Sequence, residues 1–115
     1  METAAAVLQV ILAFVFLGAG GSKVLGVRMQ VDNFNVYGYP QWFRVVTGLV
    51  ELTGAAAMLV GLLVDEVAVF GGVWLGVTMV GAVYTDLFRR GSAAYAVAPA
   101  ILLVLALAVV ALRVG

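Results

Sequence analysis

Within the apolar run RVVTGLVELTGAAAMLVGLLV, residues 44–64, one carboxylate interrupts the hydrocarbon: Glu51. An ionisable group at the centre of a membrane-spanning helix costs roughly 2.5–3.5 kcal/mol on insertion scales. Glu51 therefore needs a partner, and the partner decides what chemistry the pair can do. Arg44, Thr47, Gly48 and Glu51 follow the 3–4–7 spacing of a single helix face. A polar stripe thus runs inward from Arg44 to Glu51, about 10 Å deeper at the helical rise. Lys23 closes the preceding apolar segment at the same membrane face and is the expected counter-ion. Neighbouring glycines leave it room, and its long stem can lie along apolar surface. Arg44 is expected to pair with Asp86 across the mouth, or to reach Glu51 through a water. Tyr84 and Thr85 approach from a third apolar segment and Ser22 from the first. The candidate polar cleft is therefore Lys23, Arg44, Thr47, Glu51, Tyr84, Thr85 and Asp86. It reads either as an ion-pair network that fixes helix register or as a ligand or proton site.

The elements that position these groups follow from the spacing of charges. The chain has 115 residues, enough for a single domain over 1–115. It is 65% hydrophobic and only 10% charged, whereas a soluble domain carries about 25% charged residues. That balance requires lipid as the main solvent. Charge-free runs cover 3–22, 67–85 and 91–112, and the run 45–64 is broken by Glu51 alone. About 20 apolar residues cross a hydrocarbon core, so four transmembrane helices are expected, at about 4–22, 41–63, 67–87 and 93–113. The first is read as a retained helix and not a cleaved signal, because Glu2 is the only charge before a long apolar run.

Short links around Asp65 and at FRRGS, with Gly91 as a helix stop, make neighbouring helices antiparallel. The expected fold is an all-α, antiparallel four-helix membrane bundle. Its first connection is longer, and Val27, Val31 and Phe34 recur there at helical spacing. That segment reads equally as a short interfacial helix over the bundle mouth or as an irregular loop. Pro99 is placed to kink the last helix. Lys23, Arg28, Arg44, Arg89 and Arg90 flank the first and third connections, which are therefore expected in the cytoplasm.

Small residues allow helices to approach closely in lipid. Gly18, Ser22, Gly48, Gly54, Gly72 and Gly76 are the packing candidates, and Gly72/Gly76 is also the best candidate for a homodimer face. Tyr37, Tyr39, Trp42 and Phe43 suit an interfacial aromatic belt. The chain has no cysteine and no histidine, so thiol chemistry and Cys/His metal centres are excluded. Zero net charge and the lack of a basic run argue against nucleic acid. No metal and no cofactor is expected.

The stretches FVFLGAGGSKVLG (14–26), FNVYGYPQWFRVVTGLVELTGA (34–55) and TMVGAVYTDL (78–87) together resemble the DoxX-like family of small four-helix membrane proteins. The matching positions are Ala19, Gly20 and Lys23, then Phe34, Gly38 and Pro40. Gly48, Glu51, Gly54 and Ala55 follow, and then Ala82 and Thr85. The resemblance implies that Lys23 and Glu51 are the family's characteristic lysine and glutamate. It also implies roles beside other membrane proteins: some members accompany sulfur and quinone oxidation complexes, and a eukaryotic relative resembles the NACHO-type receptor-assembly chaperones. Many relatives carry a histidine where this chain has Asp86. The expected function is a non-enzymatic assembly, chaperone or accessory module whose polar intramembrane cleft binds a lipid, a small ligand or a partner helix. The alternative is a membrane subunit of a quinone-linked oxidoreductase system.

Overall fold

The computed structural model describes residues 2–114. It is an all-α membrane bundle with α1 at Glu2–Leu25, α2 at Arg28–Tyr37, α3 at Gln41–Val60, α4 at Asp65–Tyr84 and α5 at Ala93–Val114. A π-helical turn, Thr85–Arg89, extends α4. Helices α1, α3, α4 with its π turn, and α5 are long and apolar enough to cross a membrane. They pack as a ring in the order α1, α3, α4, α5, closing back on α1. The long axis of 40 Å exceeds a hydrocarbon core of about 30 Å.

Lipid reverses the usual logic of surfaces. Phe14, Leu49, Val77 and Val104 all point outward, where hydrocarbon costs them nothing. The centre holds Leu12, Phe16, Met58, Leu75, Met79 and Val109, packed together from all four spanning helices. Close approach between helices rests on small residues. A Cβ at Gly61 would lie 2.7 Å from the Ala68 backbone, and one at Gly54 would collide with Leu75. Gly61 also ends α3 at Val60, so 61–63 form the turn into α4 although they are apolar enough to prolong the span.

The glycine pair considered for a dimer faces inward. A Cβ at Gly72 would meet Val110 Cγ2 at 2.6 Å and the Ala106 carbonyl at 2.9 Å, and Gly76 faces Leu103 and Leu107. Both are used at the α4–α5 contact inside one chain. Gly18 has open space around it and supports no close crossing. The crossing between α1 and α3 is made instead by Gly20, whose added Cβ would sit 2.8 Å from the Gly48 carbonyl.

The first connection contains a true helix, and of its three apolar positions Val27, Val31 and Phe34 only Phe34 is buried. Gln30 and Phe34 are the buried positions of α2, while Val27 is exposed. Gly38, at φ +80°, ends the helix in a Schellman motif, with Tyr39 N–H donating to the Phe34 carbonyl and Gly38 N–H to the Asn35 carbonyl. Gly26 ends α1 in the same way at φ +73°. Pro99 is accommodated within α5, whose helix continues on both sides of it.

Candidate functional site

The antiparallel crossing at Gly20 and Gly48 positions the two central charges. Each lies three residues beyond its glycine, so Lys23 is one turn toward the α2 end and Glu51 is one turn deeper. Because neither backbone carries a Cβ at the crossing, the lysine stem can run down between the helices. Its Nζ reaches Glu51 Oε1 at 2.9 Å. Both side chains are largely withdrawn from the surface, Glu51 to 4% residual exposure. The ammonium takes up Oε1, whereas the other carboxylate oxygen, Oε2, accepts no hydrogen bond from a described residue. The pair is balanced in charge but leaves an acceptor unused.

Glu51 lines a partly enclosed cavity of about 510 Å³ in the α2 half of the bundle. All five helices contribute to its walls, among them Phe16, Lys23, Phe34, Glu51, Met79 and Pro99. Most of the lining is apolar or aromatic, with a few convergent polar groups, the usual make-up of a small-molecule pocket. Thr47, Tyr84, Thr85 and Asp86 lie on the same lining. The Thr47 hydroxyl donates to the Phe43 carbonyl at 2.7 Å, satisfying itself on its own helix.

Thr85 and Asp86 are buried because the π turn swings them inward. Wider turns of this kind recur at functional sites. Thr85 donates to the Gly81 carbonyl at 2.9 Å, so its oxygen is free to accept from the Tyr39 hydroxyl at 3.0 Å. Asp86 Oδ1 lies 3.7 Å from Arg90 Nε. Arg90 also donates to Asn33 Oδ1 at 2.7 Å and stacks over the rings of Tyr37 and Tyr95. The π turn is thereby fastened to α2, which roofs the cavity.

Arg44 has a different position from the one its spacing suggests. It donates to the Lys23 carbonyl and, at 2.7 Å, to Gln41 Oε1, and it packs on Gly26. It therefore caps the end of α1, where a cation is favoured by roughly 0.3–1 kcal/mol, and does not line the cavity. Neither Asp86 nor Glu51 is its partner. The cation for Asp86 is Arg90, four residues along.

The aromatic residues near the start of α3 do more than mark an interface. Phe34, Tyr37, Tyr39 and Phe43 pack edge to face around the cavity mouth, and Trp42, set edge to face on Phe43, is the most exposed of the group. Burial pushes the Tyr37 phenol up, and the carboxylates of Asp86 and Glu51 add to this against the lowering effect of Arg90. Tyr37 therefore stays a neutral donor at the roof.

A second polar cluster at the opposite end has no counterpart among the sequence expectations. Gln9, fully buried in α1, donates to the Met58 carbonyl of α3 at 2.9 Å and accepts from Arg113 Nε at 2.7 Å. Arg113 Nη1 then bonds Glu2 at 2.6 Å and Asp65 at 3.1 Å. One arginine of α5 thus ties the ends of all four spanning helices. Gln9 within an apolar run was the available signal, since a buried amide in lipid must find partners.

A model of the DoxX-like family matches residues 7–109. The chain belongs to the DoxX-like family. It is similar to the uncharacterized protein YdgD of Bacillus subtilis strain 168, at 36% identity over 104 residues, covering 90% of this chain and 91% of that one. No solved structure matches. In this DoxX-like protein the matched segment contains both glycines of the α1–α3 crossing, the Lys23–Glu51 pair and the π turn.

Proposed function

We propose that this DoxX-like protein is a non-catalytic membrane module that holds a small molecule against the Lys23–Glu51 pair, and that it serves other membrane proteins as an accessory or assembly factor. The observation that carries this reading is the buried Lys23–Glu51 pair on the wall of a 510 Å³ cavity, with Glu51 Oε2 taking no hydrogen bond from a described residue. A carboxylate kept only for helix register would be saturated by its neighbours, because an unpaired buried acceptor costs about 1–3 kcal/mol. Here Glu51 borders empty volume that a guest can fill. Lys23, Thr47, Glu51, Tyr84, Thr85 and Asp86 are the residues assigned to the guest, with Tyr37 and Tyr39 over the mouth.

In the same reading the α2 end faces the cytoplasm. Arg28, Arg89 and Arg90 gather there, while Arg113 at the other end is matched by Glu2 and Asp65. The quinone-linked alternative draws on the Lys23 ammonium as a donor to a quinone carbonyl in this cavity. Quinone analogues that raise the melting temperature of the purified protein would favour it.

The direct experiment is purification into lipid nanodiscs followed by mass spectrometry of the small molecules retained. A near-stoichiometric guest that disappears in Glu51→Gln, with folding preserved, is the expected result. A chain that always isolates empty contradicts the proposal.

A further inference from the structure

The chemical class of the guest can be read from three features of the cavity, on the premise that the Lys23–Glu51 cavity is a binding site. The first is charge balance. Lys23 faces Glu51 at 2.9 Å and Arg90 faces Asp86 at 3.7 Å. Each buried carboxylate has its own cation, so a charged guest would add an unmatched charge to a site surrounded by hydrocarbon. The second is polarity. Glu51 Oε1 is held by Lys23, but Oε2 has no donor among the described residues and Glu51 lines the cavity, so the site is complemented by a hydroxyl or similar N–H/O–H group.

The third feature is the route out of the cavity. A shallow groove of about 350 Å³ runs along the outer face of α3 and α4, lined by Val50, Phe70, Val73, Trp74, Val77 and Thr78. Val50, Val77 and Thr78 also line the cavity. The two spaces therefore share a wall at the α3–α4 seam, where Val73 and Val77 are exposed toward lipid. The polar groups of the groove are already used: Trp74 Nε1 donates to the Val50 carbonyl at 2.8 Å, and Thr78 donates to the Trp74 carbonyl at 2.8 Å. What the groove offers is hydrocarbon contact alone.

We infer that the guest is a neutral, single-chain amphiphile with a hydroxyl-bearing head, such as a monoacylglycerol or long-chain alcohol. Its head donates to Glu51 inside the cavity, and its tail leaves between α3 and α4 to lie along the Trp74 groove. The guest thus exchanges sideways with the bilayer.

Trp74 is a built-in reporter. With Trp42→Phe in place, it is the sole tryptophan of the chain. The protein is reconstituted in phosphatidylcholine nanodiscs and titrated with 1-(9,10-dibromostearoyl)glycerol or with methyl 9,10-dibromostearate, which has the same tail and no donor. The monoglyceride is expected to quench Trp74 saturably at about tenfold lower mole fraction, the effect of one hydrogen bond to a charged acceptor. Val77→Phe, which fills the seam without touching the ion pair, is expected to weaken that quenching several-fold. Equal quenching by the two compounds overturns the inference, because the groove then sees only bulk lipid. Quenching unchanged by Val77→Phe overturns the seam as the route. A Glu51-dependent retained molecule without a Trp74 response overturns the tail position while leaving the binding site itself standing. If neither retention nor quenching is seen, both readings fail.

Discussion

The two ends of this bundle bury charge in opposite ways. At the Arg113 end the guanidinium gathers Gln9, Glu2 and Asp65 within 3.1 Å, and among the described residues only Nη2 lacks a partner. None of these side chains lines the cavity. At the Lys23 end the ions also pair closely, but they do so beside empty volume, with Glu51 Oε2 left without a donor among the described residues. The Arg113 cluster joins helix ends and is nearly saturated; the Lys23–Glu51 pair borders a space that something else can enter. Buried charge in a membrane helix is therefore weak evidence for a site until the space around it is known.

The largest effect that would break this comparison is at the closed end. Arg113→Ala leaves Gln9 half-satisfied and unties four helix ends, and should cost about 2–4 kcal/mol, less than a fully buried pair because Glu2 and Asp65 are exposed. Unfolding in detergent would show the loss, while guest retention in the surviving folded fraction should be unchanged. Retention that falls in parallel would mean that the two ends are not independent.

Gly48→Ala tests the crossing that serves the open end. Its Cβ would lie 2.7 Å from the Gly20 carbonyl and 2.9 Å from Lys23 Cβ, an overpacking expected to cost about 1–3 kcal/mol. Because the clash falls on the lysine stem, guest retention should drop as well, and Gly18→Ala, in open space, should do neither. Equal behaviour of the two variants in thermal melts would remove the crossing from the account.

The smallest effect concerns the roof. Tyr37 is held above its ordinary 10.0, chiefly by burial. The unfolded chain then ionises the phenol at lower pH than the folded chain does. Its stabilising contribution is full below pH 10 and is lost as pH climbs through the folded value. Tyr37→Phe should flatten that alkaline loss by under about 1 kcal/mol for a half-buried group, seen in melting temperatures between pH 8 and 11. A slope unchanged by the substitution would place the phenol in contact with solvent.

The open end was more legible in the sequence than the closed one. Lys23 and Glu51 stand out because each lies where an unpaired charge is costly, and the small residues before them announce a close crossing. The four spans follow from the length of the apolar runs. Arg113 was harder to interpret, since its partners lie as far as 111 positions away and two of them look like ordinary end charges. Arg44 misled because helical spacing gives the face of a helix but not how far a side chain folds back; its guanidinium turns to the Lys23 carbonyl at the end of α1. The π turn has no composition of its own. One extra residue per turn rotates Thr85 and Asp86 into the bundle, and that rotation follows from how the turn packs under α2.

The measurement that tests the central claim most directly is the double variant Lys23→Met/Glu51→Leu, which replaces the pair with apolar side chains and leaves no lone ion. Exchanging a buried pair for hydrocarbon is often neutral or stabilising by about 1–4 kcal/mol. The account expects the variant to fold at least as stably as the parent and to retain no small molecule by mass spectrometry. A double variant that unfolds would show that the pair holds the bundle together, and one that keeps the parent's guest would show that the pair does not bind it.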